Sequence, residues 1–209
     1  MYLRRRLRIR GGLAGRAAAM LAITVLAACV ASPPENHPQE YLDKETAATI
    51  SVVDKPLVFA RDRPERAVHA RDYATIAAAA VNMQGKTNYV LIAYFWSTLD
   101  PHDEVRSAGD QREQQSDDDV LFIADDRLIK LPLAGHSPSD AGVGVAVHAP
   151  AHATAPNVYR TDLPTLRYMA SARHLALLRR SDSDSRYELW DDRRGALAGL
   201  VRHLSGQDD

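Results

Sequence analysis

Two apolar runs flank a short turn-rich gap: Tyr73 to Val81 and Asn88 to Thr98 lie on either side of Asn82-Met83-Gln84-Gly85-Lys86. The spacing predicts a β-hairpin, since Asn and Gly supply the backbone conformations that tight turns between strands require. On the second run Tyr89, Leu91, Ala93 and Phe95 point one way, while Val90, Ile92, Tyr94 and Trp96 point the other. Both faces are apolar, so this strand is expected at the centre of a sheet and covered on both sides. Ala77 to Ala80 on the facing run have side chains small enough for another layer to approach closely.

The same reading extends along the chain. Thr46 to Val53 is β-branched and ends at Asp54-Lys55-Pro56, and Leu57 to Ala60 is a second short run closed by the charged stretch Arg61 to Arg66. Val120 to Ile123 and Leu128 to Leu131 flank Asp125-Asp126 as a second hairpin, and His174 to Arg179 and Arg186 to Trp190 enclose a Ser/Asp turn as a third. A helix is expected from Thr161 or Asp162 as N-cap, with Pro164 in its first turn and Leu163, Leu166, Met169 and Ala170 as its apolar stripe. A final helix is expected after Asp191 or Asp192, burying Ala196, Leu197, Leu200, Val201 and Leu204. Hairpins dominate and no strand-helix-strand alternation runs through the chain. The expected class is therefore α+β, a mostly antiparallel sheet or sandwich of hairpins with two C-terminal helices packed on it.

The N-terminus is of another kind. Arg4, Arg5, Arg6, Arg8, Arg10 and Arg16 precede an uncharged stretch from Ala17 to Ala28. Twelve residues of helix reach about 18 Å, short of the ~30 Å hydrocarbon core of a bilayer, so the pattern is that of a signal peptide over residues 1–28. It ends in Leu26-Ala27-Ala28-Cys29, which resembles the lipobox of bacterial membrane lipoproteins and falls on the chain's one cysteine. The resemblance implies cleavage before Cys29, lipid on its sulfur and acylation of its new amino group. It also implies release to the outer membrane, facing the periplasm, because Val30 rather than Asp follows the cysteine. Residues 29–43, with Pro33, Pro34 and Pro38 among polar neighbours, read as a tether. Residues 44–206 read as one globular domain.

Charge and cysteine count exclude several functions. Removing the six leader arginines from 26 basic residues leaves 20 against 27 acidic ones, a net charge of −7 that disfavours nucleic acid. A single cysteine excludes an internal disulfide framework and a multi-cysteine zinc site. Gly135-His136-Ser137-Pro138-Ser139 departs from the nucleophile elbow, which needs a glycine where Ser139 stands and a helix where Pro138 and Gly142 discourage one. His148 and His152 share an i, i+4 spacing, but Pro150 between them opposes the helix that would align them on a metal. His136, His148 and His152, with Asp140, are the weak metal candidates, and three solvated loop histidines are the plainer reading. Asp117-Asp118-Asp119 and Asp125-Asp126 lack the spacing of a calcium loop. The arginines at 61, 63, 66 and 71 interleave with acids as a mixed surface, and Tyr89, Tyr94, Phe95 and Trp96 suit a core strand better than a pocket wall.

No catalytic residue and no cofactor is assigned. The expectation is a membrane-anchored, non-enzymatic binding, assembly or inhibitor subunit with a protein or glycan partner in the envelope. The alternatives are an envelope hydrolase or metal-dependent enzyme built on His136, Ser137, Asp140, His148 and His152, and a small-ligand carrier using the aromatic strand.

Overall fold

The computed structural model describes residues 36–99, 120–144, 147, 149–150, 153, 155–179 and 186–206. The segment 1–28 expected as a signal peptide, Cys29, the acidic stretch 100–119, His148 and His152 lie outside the described residues. The central hairpin forms as expected but with longer arms. Strand β4 (Arg71–Met83) and strand β5 (Lys86–Ser97) pair along their whole length around a two-residue turn. Gln84 and Gly85 there take φ of 54° and 80°, the pair of positive values that matches the twist of the flanking strands. Asn82 Oδ1 accepts from the Gly85 amide at 3.2 Å and steadies the turn.

Around this hairpin the remaining strands pair antiparallel. Strands β2 (Thr49–Val52) and β3 (Leu57–Asp62) take successive stretches of the same edge of β4, at Ala79 to Asn82 and Arg71 to Ile76 respectively. Strand β1 (Gln39–Leu42) pairs with β2, so regular structure begins inside the segment expected as tether. Strands β6 (Val120–Ala124) and β7 (Arg127–Leu131) form the second hairpin, and β10 (Leu175–Arg179) and β11 (Arg186–Asp191) the third. Two short strands, β8 (Leu133–Gly135) and β9 (Asn157–Thr161), pair with each other on either side of the histidine-bearing stretch.

The hydrogen-bonded order is β7-β6-β10-β11-β3-β4-β5-β9-β8. Its two ends, β7 and β8, are separated in the chain by Pro132 alone, whose carbonyl accepts from the Arg160 amide at 3.0 Å. The sheet therefore curls into a near-barrel instead of the two layers of a sandwich, and strand makes up 49% of the described structure. Rings on strands that are not neighbours meet across the concave side. Phe59 lies 5.9 Å from Phe122, and Phe95 lies 6.4 Å from Tyr187, both edge-on.

Two helices share this core. In α1 (Leu163–Ser171) the Asp162 side chain accepts from the Thr165 amide as the expected cap, and Leu166 and Met169 are buried. Helix α2 (Arg194–Ser205) buries Ala196, Leu197, Leu200, Val201 and Leu204 as its periodicity requires. Its N-cap is Arg193, which makes no capping bond, instead of Asp191 or Asp192. Asp192 serves the helix from one position further out, accepting from the Arg194 amide at 3.1 Å and binding that residue's guanidinium. Gly199 is buried against the backbone of Asn36, whose carbonyl oxygen occupies the space that a Cβ on Gly199 would need.

The outer face of β4 and β5 has its own cover. Val143 and Val147 are buried, and the Tyr94 hydroxyl donates to the Val147 carbonyl at 3.1 Å. Ala77 and Ala79, fully buried beneath, allow the close approach that the alanine run predicts. The histidine-bearing stretch is thus partly a lid on the sheet, which explains why β5 is apolar on both faces.

Candidate functional site

The turn that carries the sequence-predicted chemistry follows β8. Pro138 to Ala141 form a single 3-10 turn with Ser137 at its N-terminus. Asp140 Oδ2 accepts from the amides of His136 and Ser137, each at 2.9 Å. The Ser137 and Ser139 hydroxyls bond to each other at 2.6 Å, and His136 Nδ1 lies 2.9 Å from Oδ1 of the buried Asn157 on β9. The carboxylate that an acid-base pair would need thus holds two backbone amides, and the imidazole is tied to an amide side chain. Asp125 behaves similarly. Its Oδ1 accepts from the amides of His174 and Arg173, which hold its carboxyl below the ordinary value and bind the β6–β7 turn to the end of α1. Among the described residues no three His, Cys, Asp or Glu side chains gather in a way that would hold a metal ion.

The four aromatics of β5 do not form one wall. Tyr89 and Phe95 share the concave face, whereas Tyr94 and Trp96 lie on the outer one. On the concave side Leu57, Ile76, Leu91 and Leu197 border a cavity of only about 10 Å³, room for roughly one water.

Charge concentrates where β3 ends and β4 begins. Asp72 Oδ2 accepts from Arg61 at 3.0 Å and Arg63 at 2.5 Å, and Arg63 also binds Glu65. Burial pushes the Asp72 carboxyl up, but hydrogen bonds from Arg63, Arg61 and Ser97 outweigh it and leave it below the ordinary value. The Arg61 guanidinium lies 5.2 Å from the Tyr187 ring centre, and that of Arg179 4.6 Å from the Phe95 ring. These cations sit on aromatic faces, an arrangement that fixes the end of the concave side.

A second cluster lies on the outer face of β11, β3, β4 and β5. Tyr73 and Trp96, direct cross-strand partners, stack with centres 4.1 Å apart and planes 9° apart. Trp96 Nε1 donates to Thr75 Oγ1 at 3.1 Å. The β11–β3 ladder skips Trp190, since Leu189 faces Phe59 and Asp191 faces Val58. Such a bulge re-aims the extra side chain. Trp190 meets Tyr73 edge-on at 6.5 Å across the intervening strand β3. The Arg71 guanidinium lies 4.2 Å from the Trp190 ring centre and its Nε bonds Asp62 at 2.7 Å. Trp190 remains 59% exposed. The chain has two tryptophans, and both are in this cluster. Sequence reading places Trp190 only as a strand residue, because its meeting with Tyr73 depends on two strand pairings and a bulge.

No protein-family model matches the chain, and no curated protein or solved structure gives a match.

Proposed function

We propose that this protein is an envelope lipoprotein, held to the membrane through lipid on Cys29 and acting there as a non-enzymatic binding, assembly or inhibitor subunit. The observation that carries the reading is the outer-face aromatic cluster, in which an exposed Trp190 stands beside Tyr73, Trp96 and Arg71. Trp, Tyr and Arg are the residues that dominate binding hot spots, and an exposed tryptophan supported by a bulge and a cation calls for a partner. The engagement of Asp140 and Ser137 in their own turn, and of the His136 ring with Asn157 on β9, supports a binding role over an acid-base one.

In this reading the curled sheet, with its two helices packed on it, is a rigid carrier, and the anchor supplies position. Each buried CH₂ of an acyl chain contributes about 0.8 kcal/mol, and more than one chain gives lasting attachment. Residues 29 to 36 span at most about 25 Å at full extension. Confinement at that distance raises the effective concentration near an anchored partner without any new contact. The site of action is the periplasmic face of the outer membrane. The test is brief crosslinking of the lipidated protein, gentle extraction and mass spectrometry of what copurifies, with Cys29→Ala and Trp190→Ala beside it. A stoichiometric partner weakened in both variants is the expected result; recovery equal to wild type in both removes the reading.

A further inference from the structure

We infer that the β3–β4 turn, with the exposed Val68 in it and Trp190 beside it, docks on the lipid bilayer to which Cys29 ties the chain. The inference rests on the lipid-anchor part of the proposed reading and names the end of the folded unit that meets the membrane. The path of the chain is the first argument. Gln39 faces Val52 and Val52 faces Ala79, both in antiparallel ladders, so β1 runs parallel to β4. The chain therefore enters β1 from the end of the sheet at which β4 begins, the end that carries the β3–β4 turn. The same order holds along α2, where Asn36 lies against Gly195 and Gly199 while Glu40 meets His203 further along the helix. That helix starts just after Asp191, which pairs with Val58 opposite Thr75. From Thr75 back to Arg71 a strand rises about 13 Å, within the ~25 Å that residues 29 to 36 can span.

Surface chemistry is the second. Val68 is 87% exposed, more than any other large apolar side chain among the described residues, with Arg66 and His69 exposed close by. Arg71, three residues on, lies against the Trp190 ring. Tyr73 and Trp96 cover each other and Arg71 covers one face of Trp190, so the open part of the cluster is the remainder of Trp190, 59% of that residue. An apolar turn residue with a cation near it and an indole alongside has the composition of a membrane interface. Tryptophan settles at headgroup level, and arginine covers apolar surface with its stem while its head stays in water. Tyr41, Leu42 and Met83, also exposed, lie towards the other end of β4, away from the entry of the chain. Two side chains do not hold a protein to a bilayer unaided; lipid at Cys29 keeps the turn at high effective concentration beside it. Partner capture then depends on Trp190 through the orientation that docking gives the folded unit.

Bromine on lipid acyl chains quenches tryptophan at contact range, and both tryptophans lie in this cluster, Trp96 being stacked on Tyr73. Lipidated Trp96→Phe, which keeps Trp190, is reconstituted in vesicles of phosphatidylethanolamine and phosphatidylglycerol. Bromine is placed either near the headgroup or near the chain end. Flotation reports the anchor and emission reports the docking. The expected result is that the protein floats and that Trp190 is quenched, more by shallow bromine than by deep. Val68→Asp should still float and keep its thermal melt, while quenching falls about twofold or more because a carboxylate resists transfer into lipid. Wild-type chain carries the same readout at smaller amplitude, so poor folding of Trp96→Phe does not remove the test. Flotation without quenching overturns the docking and leaves the anchor standing, as does equal quenching with and without Val68→Asp. A protein crosslinked through Trp190 in the absence of quenching gives the cluster to that protein instead. Failure to float removes the anchor and the docking together.

Discussion

Gly199 governs how closely the N-terminal segment runs along α2. An alanine in a helix interior is normally worth about 1 kcal/mol over glycine. At this position the added Cβ would collide with the Asn36 carbonyl oxygen, a backbone atom that cannot rotate away. Gly199→Ala is therefore expected to destabilise by about 1–3 kcal/mol, as overpacking does. Gly195→Ala, whose Cβ meets only the Asn36 side chain at 3.4 Å, should be neutral or stabilising. Urea denaturation of both variants separates the cases, and a more stable Gly199→Ala would show that Asn36 does not cross there. Asp72 permits a second prediction at this scale. Its folded pKa lies below its ordinary 3.8, so the stability it contributes is present above about pH 4 and is lost as pH falls through the lowered value. Asp72→Asn should destabilise by roughly 1–3 kcal/mol at pH 7, because it leaves the guanidiniums of Arg61 and Arg63 without their shared carboxylate. The same variant should show a shallower decline below pH 4 than wild type. An unchanged acid limb in thermal melts between pH 5 and 2 would remove Asp72 from that account.

At the scale of elements, the hairpins were legible because each is local. Two β-branched or aromatic runs around Gln84-Gly85 or Asp125-Asp126 carry their partner and their turn within about thirty residues. The Asp162 cap and the apolar stripe of α1 were legible for the same reason. Strand β1 was not, because Gln39-Glu40-Tyr41-Leu42 is polar, follows Pro38 and is ordered by β2, not by burial of its own. Strand β9 was hidden by its shortness, and only its place beside β5 buries Val158 and Tyr159. The N-cap of α2 was misplaced because Asp192 bonds the first helical amide without occupying the cap position. The candidate site shows the same division. The i, i+4 histidines and the Gly-x-Ser-like turn are visible in sequence, whereas the tryptophan cluster arises from distant strands. The cover on β4 and β5 gives the prediction proper to this scale. Tyr94→Phe removes the donor to the Val147 carbonyl and should cost about 1 kcal/mol. The loss should show as faster amide exchange at buried Val143 and Val147, with α1 and α2 unaffected. Equal protection in wild type and variant would mean the segment is held by its valines alone.

Over the whole molecule, closure and anchoring are separable, and that separability is testable. The sheet returns on itself through Pro132, and the buried side chains of β2 to β11, α1 and α2 belong to one core. The first described residue, Asn36, already lies against α2. Among the described residues this packing is complete from Asn36 onward, and on the proposed reading the contacts that hold the folded unit should be indifferent to what Cys29 carries. On the proposed lipoprotein reading, lipid at Cys29 would act on location, through acyl chains whose burial adds about 0.8 kcal/mol per CH₂ and has no counterpart in the unlipidated chain. Cys29→Ala is accordingly expected to keep the wild-type melting temperature while moving from the membrane pellet to the soluble fraction. Sedimentation after carbonate washing, with melts of both forms, checks the two halves independently. A variant that stays in the washed pellet would place the anchor elsewhere in the chain. A variant that leaves the membrane with a lowered melting temperature would show that the folded unit leans on the bilayer.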